Sequence, residues 1–267
     1  MSLSDIDFAE RYRQHMQRTA RPQKTRQDWD RRAAEMNHQS RGGGYVAALL
    51  SQLDLRGIDS VLDVGCGPGS LSVALARQVR QVYAMDFSPA MLDCLRENAA
   101  ARQLHNIQPI LRAWEDDWQD IPPADLLLAS RSTTVADLRV VLARLASHAR
   151  VRVCLTQPVA GCFTDPQISA VLGVQVEHVP DYIYTLNLLH QQGIYPRLDY
   201  IDTPSRLAGC SDFNAFADKV AWSFGSLSTA QRAALQDWYE ADPQRAARGG
   251  RAMRWAVIQW TVTDDYS

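Results

Sequence analysis

From residue 60 to residue 203 the chain alternates short apolar runs with longer stretches that are apolar at helical spacing. The runs cover residues 60–64, 82–86, 107–111, 125–129, 151–155 and 197–203. Each is of strand length and rich in Val, Ile or Leu. Between them, Leu71, Leu75 and Val79, then Met91, Leu92, Leu95 and Ala99, then Leu138, Leu142 and Leu145 form single-sided helical stripes. Strands that alternate with helices of this length predict parallel pairing with the helices as crossovers. A last run over residues 252–263 sets Ala256, Ile258, Trp260 and Val262 against Trp255, Val257 and Gln259, which predicts a long final strand.

Outside this repeat the pattern is helical or irregular. Residues 5–19 have few apolar positions and stop before Pro22, so a surface helix packed late on the main body is expected. Residues 26–38 put Trp29, Ala33 and Met36 on one face, and residues 45–55 bury Val46, Leu49, Leu50 and Leu53. Gly42-Gly43-Gly44 separates the two, as the hinge of a lid or as a plain loop. Residues 156–193 are punctuated by Pro158, Pro166 and Pro180 and end in a helix through Tyr182, Ile183, Leu186, Leu189 and His190, stopped by Gly193. After residue 203 one helix carries Phe213, Phe216, Val220 and Phe224, and a second opens with the capping-box pattern Ser228-Thr229-Ala230-Gln231.

The first run leads straight into Gly65-Cys66-Gly67-Pro68-Gly69, and a helical stripe resumes at once. Glycine has no Cβ and tolerates positive φ, so a ligand can lie against the backbone of such a turn and face the free N–H groups of the following helix. The next strand then ends in Asp86. A dinucleotide fingerprint would need its third glycine where this chain has Ser70. The pattern met in full is an acid followed by three alternating glycines, Asp63, Gly65, Gly67 and Gly69.

Composition narrows the reading. The 267 residues carry a net charge of −2, enough chain for a full core and too little basic excess for a general nucleic-acid binder. The basic stretch from Arg11 to Arg32 is interleaved with Asp28 and Asp30, as on a solvated helical face. No apolar run is long enough to span a bilayer, and the polar N-terminus lacks a secretory signal, so a cytoplasmic protein with no membrane partner is expected. Five cysteines without a C-x-x-C pair point to reduced thiols, and no histidine and acid cluster has zinc-ligand spacing, so no metal is expected.

The strand, Asp63, the three glycines, the helix and the terminal Asp86 together resemble motif I and its surroundings in the class I S-adenosylmethionine (SAM) dependent methyltransferases of small-molecule type. The resemblance implies an α/β, doubly wound, mostly parallel seven-stranded sheet with helices on both faces. It further implies an antiparallel last strand between strands five and six, N-terminal helices over residues 1–56, and a SAM-binding domain over residues 57–267 with a helical cap insertion at about 157–194. SAM is the implied cofactor and S-adenosylhomocysteine (SAH) its product. Asp86 falls where the family places the acid for the ribose hydroxyls, and Cys66, Phe87 and Met91 are counted with the cofactor contacts. The family's usual acid after strand three, which accepts from the adenine amino group, is Ala113 here. Glu115 or Asp116 would have to substitute, with Trp114 on the adenine face. Trp29-Asp30 corresponds to a segment that closes over the cofactor in many small-molecule enzymes; a plain anchor to the core is the other reading.

Ser130-Arg131-Ser132-Thr133, just beyond the carboxyl end of strand four, are expected beside the cofactor, with Ser130 among its contacts, because ligands of open parallel sheets sit at that edge, and the acceptor's nucleophile is expected to arrive there. Arg131 could hold a carboxylate or phosphate of the acceptor, or pair with Asp137. The N-P-P-Y type motif of base-amine methyltransferases is missing; Pro122-Pro123 precedes the strand and lacks its asparagine and tyrosine. A thiolate or free amine acceptor needs no base. A hydroxyl does, and His38, His190 and Tyr45 are the candidates. Tyr182, Tyr184, Asn187 and His190 are expected either to line the acceptor pocket or to be core residues. Three functions stay open: transfer to a small molecule by a monomer or homodimer, binding of SAM or SAH without transfer as a regulator or accessory subunit, and methylation of RNA away from base amines.

Overall fold

The computed structural model describes residues 3–19, 24–40, 44–161, 165–175 and 178–262. Pro22, Gly42, Gly43, Cys162 and the last position of the expected final strand lie outside the described residues.

Seven strands form one sheet: β1 (Ser60–Val64), β2 (Gln81–Asp86), β3 (Ile107–Leu111), β4 (Ala124–Ser130), β5 (Ala149–Pro158), β6 (Arg197–Thr203) and β7 (Met253–Thr261). Their order is β3-β2-β1-β4-β5-β7-β6. The pairs among β1 to β5 are parallel, and β7 runs antiparallel between β5 and β6, with Ile258 opposite both Leu155 and Leu198. This is the sheet expected from the sequence. β5 extends past the apolar run at both ends, from Ala149 to Pro158, with residues 153–158 buried without a break and Pro158 paired with Trp255.

The period of two divides the core. Leu62, Val64, Leu127, Ala129, Val153, Leu155, Ala256 and Ile258 face one layer, made by α1 (Phe8–Arg18), α6 (Leu138–His148) and α8 (Ile183–Gln191). Val61, Val82, Leu126, Leu128, Cys154, Trp255 and Val257 face the other, with α3 (Gly44–Gln52) and α4 (Ser70–Leu75). Ala84 continues that second face, covered by Leu92 and Leu95 of α5 (Pro89–Ala100). Ser88 starts α5 as its side chain accepts from the Met91 N–H, with Pro89 in the first turn.

Two segments differ from the sequence expectation. α1 is no late surface addition: Ala9 and Tyr12 are buried, and the Tyr12 hydroxyl donates to the Val135 carbonyl at 2.8 Å. The covering segment is divided as well. α8 packs Leu188 and Leu189 into the sheet's own core. α7 (Pro166–Val171) instead joins α9 (Phe213–Phe224) and α10 (Thr229–Ala241), from the β6–β7 connection, around Ile168, Phe216, Val220, Leu235 and Trp238. α11 (Pro243–Arg248) completes that connection. Strand directions put the ends of β5 and β6 and the start of β7 at one edge of the sheet, so this second core sits on the edge where β1 and β4 also end.

Leu127 is fully buried in the central strand β4. Leu127→Ala is expected to lower unfolding free energy by about 2–5 kcal/mol, read from the urea midpoint with an unchanged slope.

Candidate functional site

The strand order reverses between β1 and β4, and the crevice at that point is built from close backbone contacts. Gly65, Gly67 and Gly69 all take positive φ. A Cβ on Gly65 would lie 2.4 Å from Ser132 Cβ, and one on Gly69 would lie 2.0 Å from a Leu95 methyl. Both positions need glycine for packing. A Cβ on Gly67 would meet nothing within 4 Å. Here the bare backbone faces open space, so this is the surface of the turn that a ligand can approach.

Two buried carboxylates hold the turn from below. Asp86 is 7% exposed; one oxygen accepts the Gly67 N–H at 2.8 Å and the other the Ser88 N–H at 2.9 Å. Of the roughly four lone-pair sites of the Asp86 carboxylate, these N–H groups do not use all. Burial raises its pKa, opposed by those N–H groups and reinforced by the charge of Asp30. Asp63 is 1% exposed and accepts the Ser72 hydroxyl at 2.6 Å. Its pKa is pushed up to about 6, by burial first and by the Asp86 charge in addition. Cys66 is buried beside them, and burial holds its thiol protonated. Phe87 is half-buried and Met91 is buried, both just beyond Asp86.

The ends of β3 and β4 form the next wall. Trp114 donates its indole N–H to the Ser132 carbonyl at 3.0 Å and stacks on Trp118 with ring centroids 5.3 Å apart. Of the two acids that could replace the one missing at Ala113, Asp116 turns back to accept the Ala113 N–H at 2.8 Å. Glu115 is exposed and has no partner among the described residues. Ser132 donates to the Val64 carbonyl at 2.7 Å, locking the β4 end onto β1. The Tyr45 hydroxyl from α3 lies 2.7 Å from Ser130 Oγ and 2.8 Å from Thr156 Oγ1, and Thr156 also accepts the Arg131 N–H at 3.0 Å.

Comparison with known proteins agrees with this geometry. The family model described as a methyltransferase domain matches residues 61–151, the segment from β1 into β5. An uncharacterised protein of Haemophilus influenzae is 36% identical over 270 residues, which is 98% of this chain and 99% of that protein. The chain belongs to the class I SAM-dependent methyltransferases. Trans-aconitate 2-methyltransferase of Rhodococcus jostii is 29% identical over 126 residues, 46% of either chain. Among solved structures, a candidate methyltransferase of Bacillus halodurans superimposes with a TM-score of 0.57 at 13% identity, covering 81% of this chain and 98% of that one, and shares the fold.

In this methyltransferase the residues singled out for proton transfer do not converge. His190 is exposed at the far end of α8, its ring 5.7 Å from Tyr195, because α8 runs back towards the edge where β6 begins. His38 is exposed on α2 (Arg26–Ser40). Tyr45 does reach the edge, but its hydroxyl is held by Ser130 and Thr156, and burial raises its pKa. Of the expected pocket residues, the Tyr182 hydroxyl meets that of Tyr200 at 2.8 Å, Asn187 bonds within its own helix, and Tyr184 packs edge-on against Tyr12 and His15 of α1. Of the two alternatives for Arg131, the pair with Asp137 is not formed: Asp137 binds Arg13 at 2.9 Å and caps α6.

Two residues of α2 reach the turn: Asp30, noted in the sequence only as part of the Trp29-Asp30 segment, and Asn37, which sequence reasoning missed. Asp30 of α2 accepts the Ser88 hydroxyl at 2.5 Å. Asn37 accepts from Asn98, which also donates to the Pro68 carbonyl inside the glycine turn. α2 is thus clipped onto the turn, and Trp29 meets Trp222 of α9 edge-on at 5.5 Å. An open groove of about 830 Å³ along the β3 edge is lined by Leu95, Leu104, Ile107 and Pro109, among others, and by none of the predicted site residues.

Asp63 gives a pH signature. Its folded pKa of about 6 lies above its ordinary value of 3.8, so between those values the native state binds more protons than the unfolded one, and stability falls as pH rises. Asp63→Asn keeps an acceptor for Ser72 and is expected to remove up to about 3 kcal/mol of that fall. Urea unfolding at pH 4 and pH 7.5 checks it; an unchanged pH dependence would assign the titration to Asp86 instead.

Proposed function

We propose that the chain transfers a methyl group from SAM to a small-molecule acceptor by in-line displacement. SAM supplies a methyl on a sulfonium, already activated for attack. The protein's part is to hold, align and enclose. Gly67 offers bare backbone and Asp86 its spare lone pairs to the ribose hydroxyls, with Cys66, Phe87 and Met91 alongside. Glu115 is the acid free to take the adenine amino group beside Ala113 and Trp114. Ser130 marks the end towards the acceptor, fixed through Tyr45 and Thr156. Holding the acceptor in line is worth up to roughly 7–11 kcal/mol of the barrier. With Tyr45 committed and the two histidines exposed to solvent on their helices, the acceptor's attacking atom is one that loses its proton to solvent or enters without one.

The observation that carries the small-molecule reading is the cover on the carboxyl edge. α1, α2 and the unit of α7, α9 and α10 stand over the strand ends, which suits an enclosed acceptor better than a polymer. The likeness to trans-aconitate 2-methyltransferase over the shared half supports it.

Thermal unfolding with SAM, SAH and NADH tests the cofactor. At a hundredfold excess over Kd a ligand adds about 2.7 kcal/mol, roughly 5–10 °C for a chain of this size, and the shift is expected with the first two alone. Gly67→Ala should cost about 1–2 kcal/mol of stability through the left-handed backbone and weaken SAH binding by about tenfold or more. Incubation with methyl-labelled SAM and a polar metabolite extract should label a compound of low mass. Labelling of RNA alone, or tight SAH binding without turnover on any extract, would overturn the proposal.

A further inference from the structure

Arg131 is one of three non-glycine residues with positive φ among the described residues, at 59°. Left-handed backbone is unfavourable for a residue with a Cβ and persists only where the surroundings dictate it. Here they do so from both sides. Its N–H is taken by Thr156 Oγ1, and the next residue, Ser132, packs against Gly65 and donates to the Val64 carbonyl. The backbone of Arg131 thus sits one residue from the wall of the glycine turn, while its side chain turns towards α3 and the start of β7.

The guanidinium then rests on an aromatic platform. Its Cζ lies 4.2 Å from the Tyr45 ring centroid and 5.9 Å from that of Trp255. Tyr45 is held still by Ser130 and Thr156, and Trp255 meets it edge-on at 6.2 Å. Two aromatic faces attract a cation without consuming its N–H donors. Arg13, Arg56, Arg112, Arg152 and Arg254 each sit on a carboxylate. Arg131 has no such partner among the described residues, and its side-chain donors make no hydrogen bond there. A rigidly presented fork of donors with its counterion place open matches a planar or tetrahedral oxyanion.

We propose that Arg131 is the specificity residue for an anionic acceptor, docking a carboxylate or phosphate group of the molecule to be methylated. This rests on the methyltransferase reading above for the word acceptor; the anion site itself stands on the Arg131 geometry. The guanidinium takes no part in bond making. It fixes one end of the acceptor so that the attacking atom at the other is carried into the crevice.

The probes are citrate and inorganic pyrophosphate, with glycerol as the neutral control, titrated by calorimetry into the protein with and without SAH. Wild type is expected to bind at least one anion, more weakly as salt rises. Arg131→Met should reduce that affinity by about tenfold or more and Arg131→Lys by less, because lysine keeps the charge and loses the fork. SAH affinity and melting temperature should stay close to wild type in both variants. Preference for citrate over pyrophosphate, or the reverse, names the group. Absence of anion binding, equal affinity in Arg131→Met, or a parallel tenfold loss of SAH affinity would overturn the proposal, the last by assigning Arg131 to the cofactor's own carboxylate. Anion binding that depends on Arg131 in a protein that binds no SAH would instead sink the cofactor reading and leave the anion site standing.

Discussion

The carboxylate of Asp86 is the interaction on which the site depends. It closes the glycine turn through Gly67 and starts α5 through Ser88, while Ser88 in turn donates to Asp30 of α2. One buried acid thus ties a strand end, a loop and two helices together. The arrangement concentrates negative charge: Asp63 lies below the same turn, and neither acid has an ion-pair partner among the described residues. The upward pKa displacement of both measures what burial costs.

The second constraint is closeness. Where the strand order reverses, β1 and β4 diverge above the sheet, and the gap is bridged by Gly65 against Ser132 rather than by long side chains. Tyr45, Ser130 and Thr156 do the same for β4 and β5, with three hydroxyls in mutual contact. Such a network is buried and satisfied, so it is stiff. Stiffness at the strand ends lets Arg131 be held in an unfavourable backbone conformation instead of relaxing out of it.

What could be read from the sequence was local. The first six strands followed from short apolar runs and the last from alternation, α5 from Ser88-Pro89, and the glycine turn from spacing within a few residues. What could not be read depends on partners far apart in the chain. Tyr45 meets Ser130 and Thr156 across 85 and 111 residues, and no periodicity encodes that. Asp30 was visible only as part of a Trp-Asp pair, and the structure gives the two residues different partners, Ser88 for the acid and Trp222 for the ring. The apolar positions of α9 and α10 announced helices, yet their pairing with α7 across the β6 strand is a tertiary fact. α1 misled for a physical reason: its buried side consists of Ala9 and one tyrosine, too little apolar character to stand out from a solvated helix, and the tyrosine's hydroxyl is satisfied by a backbone carbonyl.

The cover over the strand ends is made of segments that are separate in the chain and share one wall. α2 is bonded to the glycine turn through Asn37, Asn98 and Pro68, and to the helical unit through Trp29 and Trp222, with Lys24 and Arg32 also against the Trp222 ring. A displacement of α9 is therefore felt by α2, and through Asp30 by the Ser88 end of α5, whose N–H Asp86 accepts. Two ligands that bind on opposite sides of such a wall are coupled to the extent that each prefers one position of it, and the coupling acts equally in both directions. The fold thus gives the glycine turn and the helices over the strand ends a common mechanical element, and that element is contributed by α2 rather than by the sheet.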